Sequence, residues 1–292
     1  MRGNGRKRGL LAVAWLIAAI GSLLLVGCEG ISVGRYSEVE ERSFDVDGAQ
    51  SLSLGSFGGN VTVRAGEGST ITVVATKRAR REKDLDAIAL RFTEPGGELR
   101  IKAEKPGYLG NVSVDFEITA PRGIRANVAT GGGNLEITGM DRAVDATTGG
   151  GNIDISETGG EVSAVTGGGN VTVSDAAGAT KVTTGGGNID VRDVSGSIEV
   201  LTGGGNIEYR GQPQGGCDFN TGGGNIKLRL NSDSNVRLEL EVPRTCEKCR
   251  VDVDFSVDGQ VTQRKVFGTI GSGSEGVVRA MTGGGNIDVV RR

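Results

Sequence analysis

Apolar and polar residues alternate with a period of two through most of the chain, in pairs of short runs. After a recurring Asn come Leu135/Ile137, Ile153/Ile155, Val171/Val173, Ile189/Val191, Ile207/Tyr209, Ile226/Leu228 and Ile287/Val289. Before a recurring Thr come Ala126/Val128, Val144/Ala146, Val162/Ala164, Thr180/Val182, Ile198/Val200, Cys217/Phe219 and Val278/Ala280. Polar residues such as Asp154, Asp190 and Glu199 separate the members of these pairs. Side chains two apart share one face of a strand, whereas a helix would space them three or four apart, so each run predicts a half-buried strand.

Between the two runs of a pair stands Thr-Gly-Gly-Gly-Asn. It begins at Thr130, Thr148, Thr166, Thr184 and Thr202, 18 residues apart each time. Further copies begin at Thr221, one residue late, and at Thr282 after a long interruption, and Phe57-Gly58-Gly59-Asn60 reads as a degenerate early copy. A fixed period of this size is the signature of a solenoid. The predicted fold is all-β: a parallel β-helix or solenoid of 18-residue coils, two strands and two turns per coil, with irregular β capping regions. Glycine at the corners is expected to supply positive φ and to let neighbouring corners stack closely. Asn134, Asn152, Asn170, Asn188, Asn206 and Asn225, with Asn286, are expected to form a ladder in which side-chain amides bond one coil to the next. The Thr column can do likewise. The alternative is that these residues are simply turn-formers.

The flanks are less regular. Residues 1–27 read as a leader, 28–43 as a polar tether, 44–125 as an N-terminal β region and cap, 126–228 as the regular solenoid, and 229–292 as an irregular β extension with a final repeat that closes the stack. Ile88-x-Leu90-x-Phe92 and Leu99-x-Ile101 flank Glu94-Pro95-Gly96-Gly97, a hairpin signal. The basic run Lys77–Lys83 reads as a solvated loop or helical turn, or as a lipid- or polyanion-binding patch. Val236-x-Leu238-x-Leu240-x-Val242 and Val251-x-Val253-x-Phe255-x-Val257 predict longer strands in a hairpin extension. Exposed solenoid ends need such caps, because an open strand edge invites aggregation.

The N-terminus carries Arg2, Arg6, Lys7 and Arg8, then an apolar run from Leu10 to Val26, about as long as the core of an export signal. It ends in Leu25-Val26-Gly27-Cys28, which resembles the lipobox of bacterial lipoproteins. That resemblance implies cleavage before Cys28, diacylation of its thiol and anchoring in a membrane of the cell envelope. The alternative is an uncleaved signal anchor with an incidental cysteine.

Composition narrows the chemistry. With 33 basic and 36 acidic residues in all, and four of the basic ones before Cys28, the mature chain holds 33 − 4 = 29 basic residues and a formal charge of 29 − 36 = −7. A nucleic-acid partner would want the opposite balance. The chain has no histidine, which removes Ser-His-Asp triads and His-based general bases. Its only tryptophan is Trp15, in the leader. Cys246-Glu247-Lys248-Cys249 is a C-x-x-C with no second pair and no histidine to complete a zinc site, so it predicts a local disulfide in an exported protein. Cys217 falls on an inward column and reads as a small buried hydrophobe, with pairing to Cys246 or Cys249 as the alternative. Calcium-binding β-rolls also use Gly-rich 18-residue coils. Here the outward acidic position reads Glu136, Asp154, Thr172, Asp190, Glu208, Lys227 and Asp288, and Thr and Lys break the oxygen column that calcium needs. No metal, no cofactor and no catalytic residue is predicted.

The Gly-Gly-Asn-Ile/Val-x-Ile/Val units, with Val112-x-Val114-x-Phe116-x-Ile118-x-Ala120-Pro121 leading into them, resemble the bacterial "putative adhesin" families of unknown function, β-helical envelope proteins related to the head GIN domain. The resemblance spans roughly residues 40–292 and implies no catalytic residues. The expected function is that of a lipid-anchored envelope protein presenting a rigid solenoid to a protein or glycan partner. The alternatives are a periplasmic stress or signalling accessory that binds another envelope protein, and a carbohydrate-active β-helix.

Overall fold

The computed structural model describes residues 36–45 and 50–292, and its strands form two long sheets. The first has 12 strands and the second 13. Each regular coil gives one strand to each. Ile153–Thr158, Val171–Ala176 and Ile189–Arg192 lie side by side in the first sheet, and Val144–Thr148, Val162–Thr166 and Thr180–Thr184 in the second. All pair in parallel, and the register advances by 18 residues: Ile153 faces Val171, and Val171 faces Ile189. Parallel pairing follows from the sequence pattern, since every coil repeats the same turn, and in-register stacking puts apolar residues over apolar residues.

The inward positions of both sheets meet in a single core. Val128, Ala146, Ala164, Val182 and Val200 from the second sheet, and Ile137, Ile155, Val173, Val191 and Tyr209 from the first, are almost wholly shielded from solvent. Tyr209 and Phe219 are the largest side chains in these columns, and their rings pack 5.3 Å apart at a tilt. The Tyr209 hydroxyl is buried with no hydrogen-bond partner among the described residues. Burial holds its pKa well above the usual phenol value.

The stack does not follow chain order at its ends. The last repeat was expected to close the stack, but Gly276–Thr282 lies between Gly215–Thr221 and Val236–Glu241, parallel to both. Its companion Ile287–Arg291 lies between Ile226–Leu230 and Val251–Val253. The excursion over 231–275 therefore passes outside before the final coil enters the slot beneath it. The first coil behaves in the same way. Ser51–Ser56 sits between Glu98–Glu104 and Arg125–Thr130, and Val61–Gly66 between Ser113–Pro121 and Leu135–Thr138. Every repeat carries the same pairing face, so pattern alone does not state which neighbour a coil takes.

Antiparallel strands finish both ends. Ala89–Thr93 folds back on Glu98–Glu104 around the Pro95–Gly97 turn, and Lys265–Thr269 runs between Val236–Glu241 and Asp258–Val261. The run expected as one strand from Val251 to Val257 is a strand only over Val251–Val253. Residues 36–43, expected as tether, form most of the strand Tyr36–Asp45, which pairs along its whole length with Thr70–Ala79. Its alternation is masked because the strand is an outer edge, exposed at almost every position.

Two substitutions test this core. Ile189→Asp places a carboxylate in a column where Ile189 is 1% exposed, and it should cost roughly 3–5 kcal/mol, seen as a large fall in denaturation midpoint. An unchanged midpoint would show that the strand register is wrong. Tyr209→Phe removes a buried hydroxyl that has no partner among the described residues, so its stability should equal or exceed that of the parent; a loss above about 1 kcal/mol would mean the hydroxyl has a partner.

Candidate interaction surface

The recurring corner is where side chains of known chemistry gather. Its third glycine packs against the coil before it: a Cβ on Gly151, Gly169, Gly187 or Gly205 would stand 1.9 Å from a carbonyl oxygen of the preceding corner. The first glycine is almost as tight, with a Cβ on Gly167, Gly185 or Gly203 lying 2.1–2.2 Å from such an oxygen. The middle glycines Gly150, Gly168, Gly186 and Gly204 have nothing within 4 Å. Of the two uses expected of the triplets, positive φ occurs in these corners only at Gly59 and Gly133. What the corner requires is the absence of a Cβ where two backbones meet.

Threonine and asparagine close the corner. The Thr148 hydroxyl donates to the Gly133 carbonyl of the preceding coil at 2.8 Å and accepts from the Gly151 N–H of its own coil at 3.4 Å. Thr166, Thr184, Thr202 and Thr221 repeat the arrangement, and all are buried. In the Asn column the side-chain amides bond one coil to the next through the backbone. Each Asn Oδ1 accepts the backbone N–H of the next coil's Asn: Asn134 to Asn152 at 2.9 Å, then Asn152 to Asn170, Asn170 to Asn188, Asn188 to Asn206 and Asn206 to Asn225, each at 2.8 Å. Asn60 supplies the step before Asn134, and Asn225 Oδ1 accepts the N–H of Asn286 in the intercalated final coil. One side-chain-to-side-chain bond joins the column, from Asn225 Nδ2 to Asn206 Oδ1 at 3.3 Å. The Nδ2 groups of the other asparagines in this column make no hydrogen bond among the described residues.

Beside this column lies a continuous uncharged flank. From the second sheet's outward stripe, across the corner, to the asparagines, eight stacked coils carry no charged residue: 55–60, 129–134, 147–152, 165–170, 183–188, 201–206, 220–225 and 281–286. The seven steps between them span about 34 Å at ordinary strand spacing. Val165, Leu201 and Met281 stand exposed on the stripe. At one end, an open depression of about 340 Å³ is lined by Asn206, Glu208, Asn225, Lys227, Asn286 and Asp288.

The outward acidic column of the first sheet is a different surface. Its members do stack, Glu136 beside Asp154, Asp154 beside Thr172 and Thr172 beside Asp190. Arginines neutralise part of it. Glu208 accepts from Arg229 at 2.8 Å and from Arg210 at 3.2 Å, which holds its carboxyl below the usual range. Asp154, with only a distant arginine, is pushed upward by burial and by the neighbouring Glu136 charge. No cluster of three metal-capable side chains occurs among the described residues.

Cys246 and Cys249 are joined by a disulfide, and Cys217 is free and fully buried on its inward column, its thiol pushed up to about 11 chiefly by burial. Cys28 lies outside the described residues. Two 18-residue columns escaped the sequence reading. Glu157, Asp175 and Asp193 all adopt left-handed φ of 48–55° at the opposite corner, following Gly139 in the same place. Gly160, Gly178 and Gly196 repeat the forbidden-Cβ contact there. The spacing was visible, but the mixed residue types at the first column hid a shared backbone conformation.

A family model described as Toastrack DUF4097 matches residues 49–290. Among solved structures, similarity is found to a "putative cell adhesion protein" of Clostridium sporogenes, at 12% identity and TM-score 0.31, covering 88% of this chain and 100% of the other. A "putative adhesin" of Bacteroides fragilis shares 12% identity at TM-score 0.36, covering 87% and 97%. A "putative lipid binding protein" of Parabacteroides distasonis shares 13% identity at TM-score 0.29, covering 86% and 96%. No curated protein matches the chain.

A matched pair of substitutions checks the corner. Gly187→Ala should destabilise the protein by roughly 2–3 kcal/mol or prevent folding, because backbone rather than a pliable side chain must give way. Gly186→Ala, one residue away in open space, should leave the midpoint within about 0.5 kcal/mol of the parent. Equal effects would refute the close-approach account.

Proposed function

The chain belongs to the Toastrack DUF4097 family, and we propose that it is a non-catalytic, lipid-anchored envelope protein whose rigid stack offers its uncharged flank to a protein or glycan partner. The flank carries this reading. In a chain with 24% charged residues, eight successive coils without one on the same side leave a long surface that costs little to desolvate. Its Asn amides add hydrogen-bond donors at regular intervals, suited to the carbonyls of an extended peptide or the hydroxyls of a glycan. Three groups that could do chemistry are occupied elsewhere, which supports a binding role: Glu208 is spent in ion pairs, and Tyr209 and Cys217 are sealed in the core. The Leu25–Cys28 lipobox supports the anchor.

Fractionation and protease treatment of intact cells test the proposal. The wild-type protein should sediment with membranes, carry acyl label on Cys28, and be cut on intact cells. Cys28→Ala should lose the label. Protection until lysis would sink the outward-facing reading and leave the periplasmic accessory in its place.

A further inference from the structure

We propose that the open depression where the flank meets the first sheet is a binding site for a neutral saccharide. The proposal rests on the reading of the flank as a binding surface and gives that surface a ligand class at one place. Three successive coils build the site, through residues 206–208, 225–227 and 286–288, and it holds about 340 Å³. That volume lies within the range of small-molecule sites.

Its charged groups divide into occupied and open ones. Glu208 is held by Arg229 and Arg210, and Arg210 is shared with Asp190, 3.9 Å away. Asp252, on the coil beyond Asp288, is paired with Arg250. Lys227 and Asp288 lie side by side in the register, and neither forms an ion pair or a side-chain hydrogen bond among the described residues. From Glu136 to Asp288, Lys227 is the only base in the outward column.

The asparagines add fixed donors. Asn206 Oδ1 accepts from Asn225, and Asn286 Oδ1 accepts the backbone N–H of Arg250 at 3.1 Å. Those bonds set each amide plane and turn each Nδ2 away from the ladder. Asn225, between them, is engaged through both of its amide atoms. Two preorganised donors therefore stand two coils apart, about 9.6 Å at ordinary strand spacing, with Lys227 on the coil between them.

These open groups match a polyol. A hydroxyl both donates and accepts, so neighbouring hydroxyls can give a hydrogen bond to Asp288 and take one from Lys227 or an Asn Nδ2. One open charge of each sign leaves no excess to select an anion or a cation. A ligand rich in hydroxyls keeps both charges hydrogen-bonded as water leaves, which an apolar ligand cannot do. An extended peptide lying along the column would set its same-side carbonyls about 6.6 Å apart, out of step with donors one or two coils apart. A sugar ring carries hydroxyls around its rim and needs no such register.

Glycan-array binding of the fluorescently labelled full-length protein tests the site. The array carries neutral hexose and N-acetylhexosamine oligomers beside uronic-acid and sialylated ones. Lys227→Met keeps the apolar stem and Asp288→Asn the shape of the side chain, so both variants should retain the parent's denaturation midpoint. We expect neutral oligomers to bind and each substitution to weaken that binding by roughly tenfold or more, whereas Glu199→Gln on the second sheet leaves it unchanged. Binding to acidic oligomers alone, or neutral binding indifferent to both substitutions, would overturn the proposal. Val165→Lys puts a charge on the flank away from the depression and separates the two readings. Neutral binding lost in that variant but kept in the other two rejects the depression and retains the flank. Absence of any bound oligomer rejects the saccharide site and leaves the flank to a protein partner.

Discussion

A carbonyl oxygen of one corner occupies the place where the next corner would put a Cβ. That approach sets the glycine at both ends of each triplet and holds successive corners at the spacing of paired strands. It also brings Thr within reach of the preceding carbonyl and Asn Oδ1 within reach of the following N–H. Corner backbone that would otherwise be left unpaired between the two sheets is satisfied, coil after coil, by two short side chains. The apolar columns follow, since in-register corners place Val over Val and Ile over Ile.

The period, the strands and the ladder residues could be read from the sequence because each depends on local pattern repeated in register. Other features depend on information the pattern lacks. The glycines were legible both as positive-φ turn residues and as sites of close approach; residue type alone does not say that the first and third of each triplet serve the second use. The final Thr282 repeat looked like the closing coil because chain order was the natural guide to stacking order, yet its Val278 lies between Cys217 on one side and Leu238 on the other. Tyr36–Asp45 looked like tether because an edge strand that shows both faces to water has no reason to alternate. The ladder was visible as a column of asparagines, but its bonding through backbone N–H could be seen only once the coils were stacked.

Charge is sorted around the stack. One side has an acidic column laced with arginines at Arg192, Arg210 and Arg229. The corner side has none. In a solenoid such sorting costs little, because an outward position contributes almost nothing to the core and can change residue by residue. The breaks at Thr172 and Lys227, which spoil the acidic column as a calcium site, lie at such positions.

The intercalated terminal coils bear on how a molecule of this design can change in length. A new 18-residue unit added at either chain terminus would arrive outside a slot already filled, beyond the hairpins that seal the strand edges. A unit duplicated between Thr130 and Thr221 would simply lengthen the rod by one step of about 4.8 Å and leave both sealed ends as they are. The evenly spaced copies from Thr130 to Thr202 lie in the stretch where duplication is harmless, and the degenerate copy at Phe57 lies where it is not. The architecture is thus a ruler with fixed ends, whose reach is set by the number of interior copies.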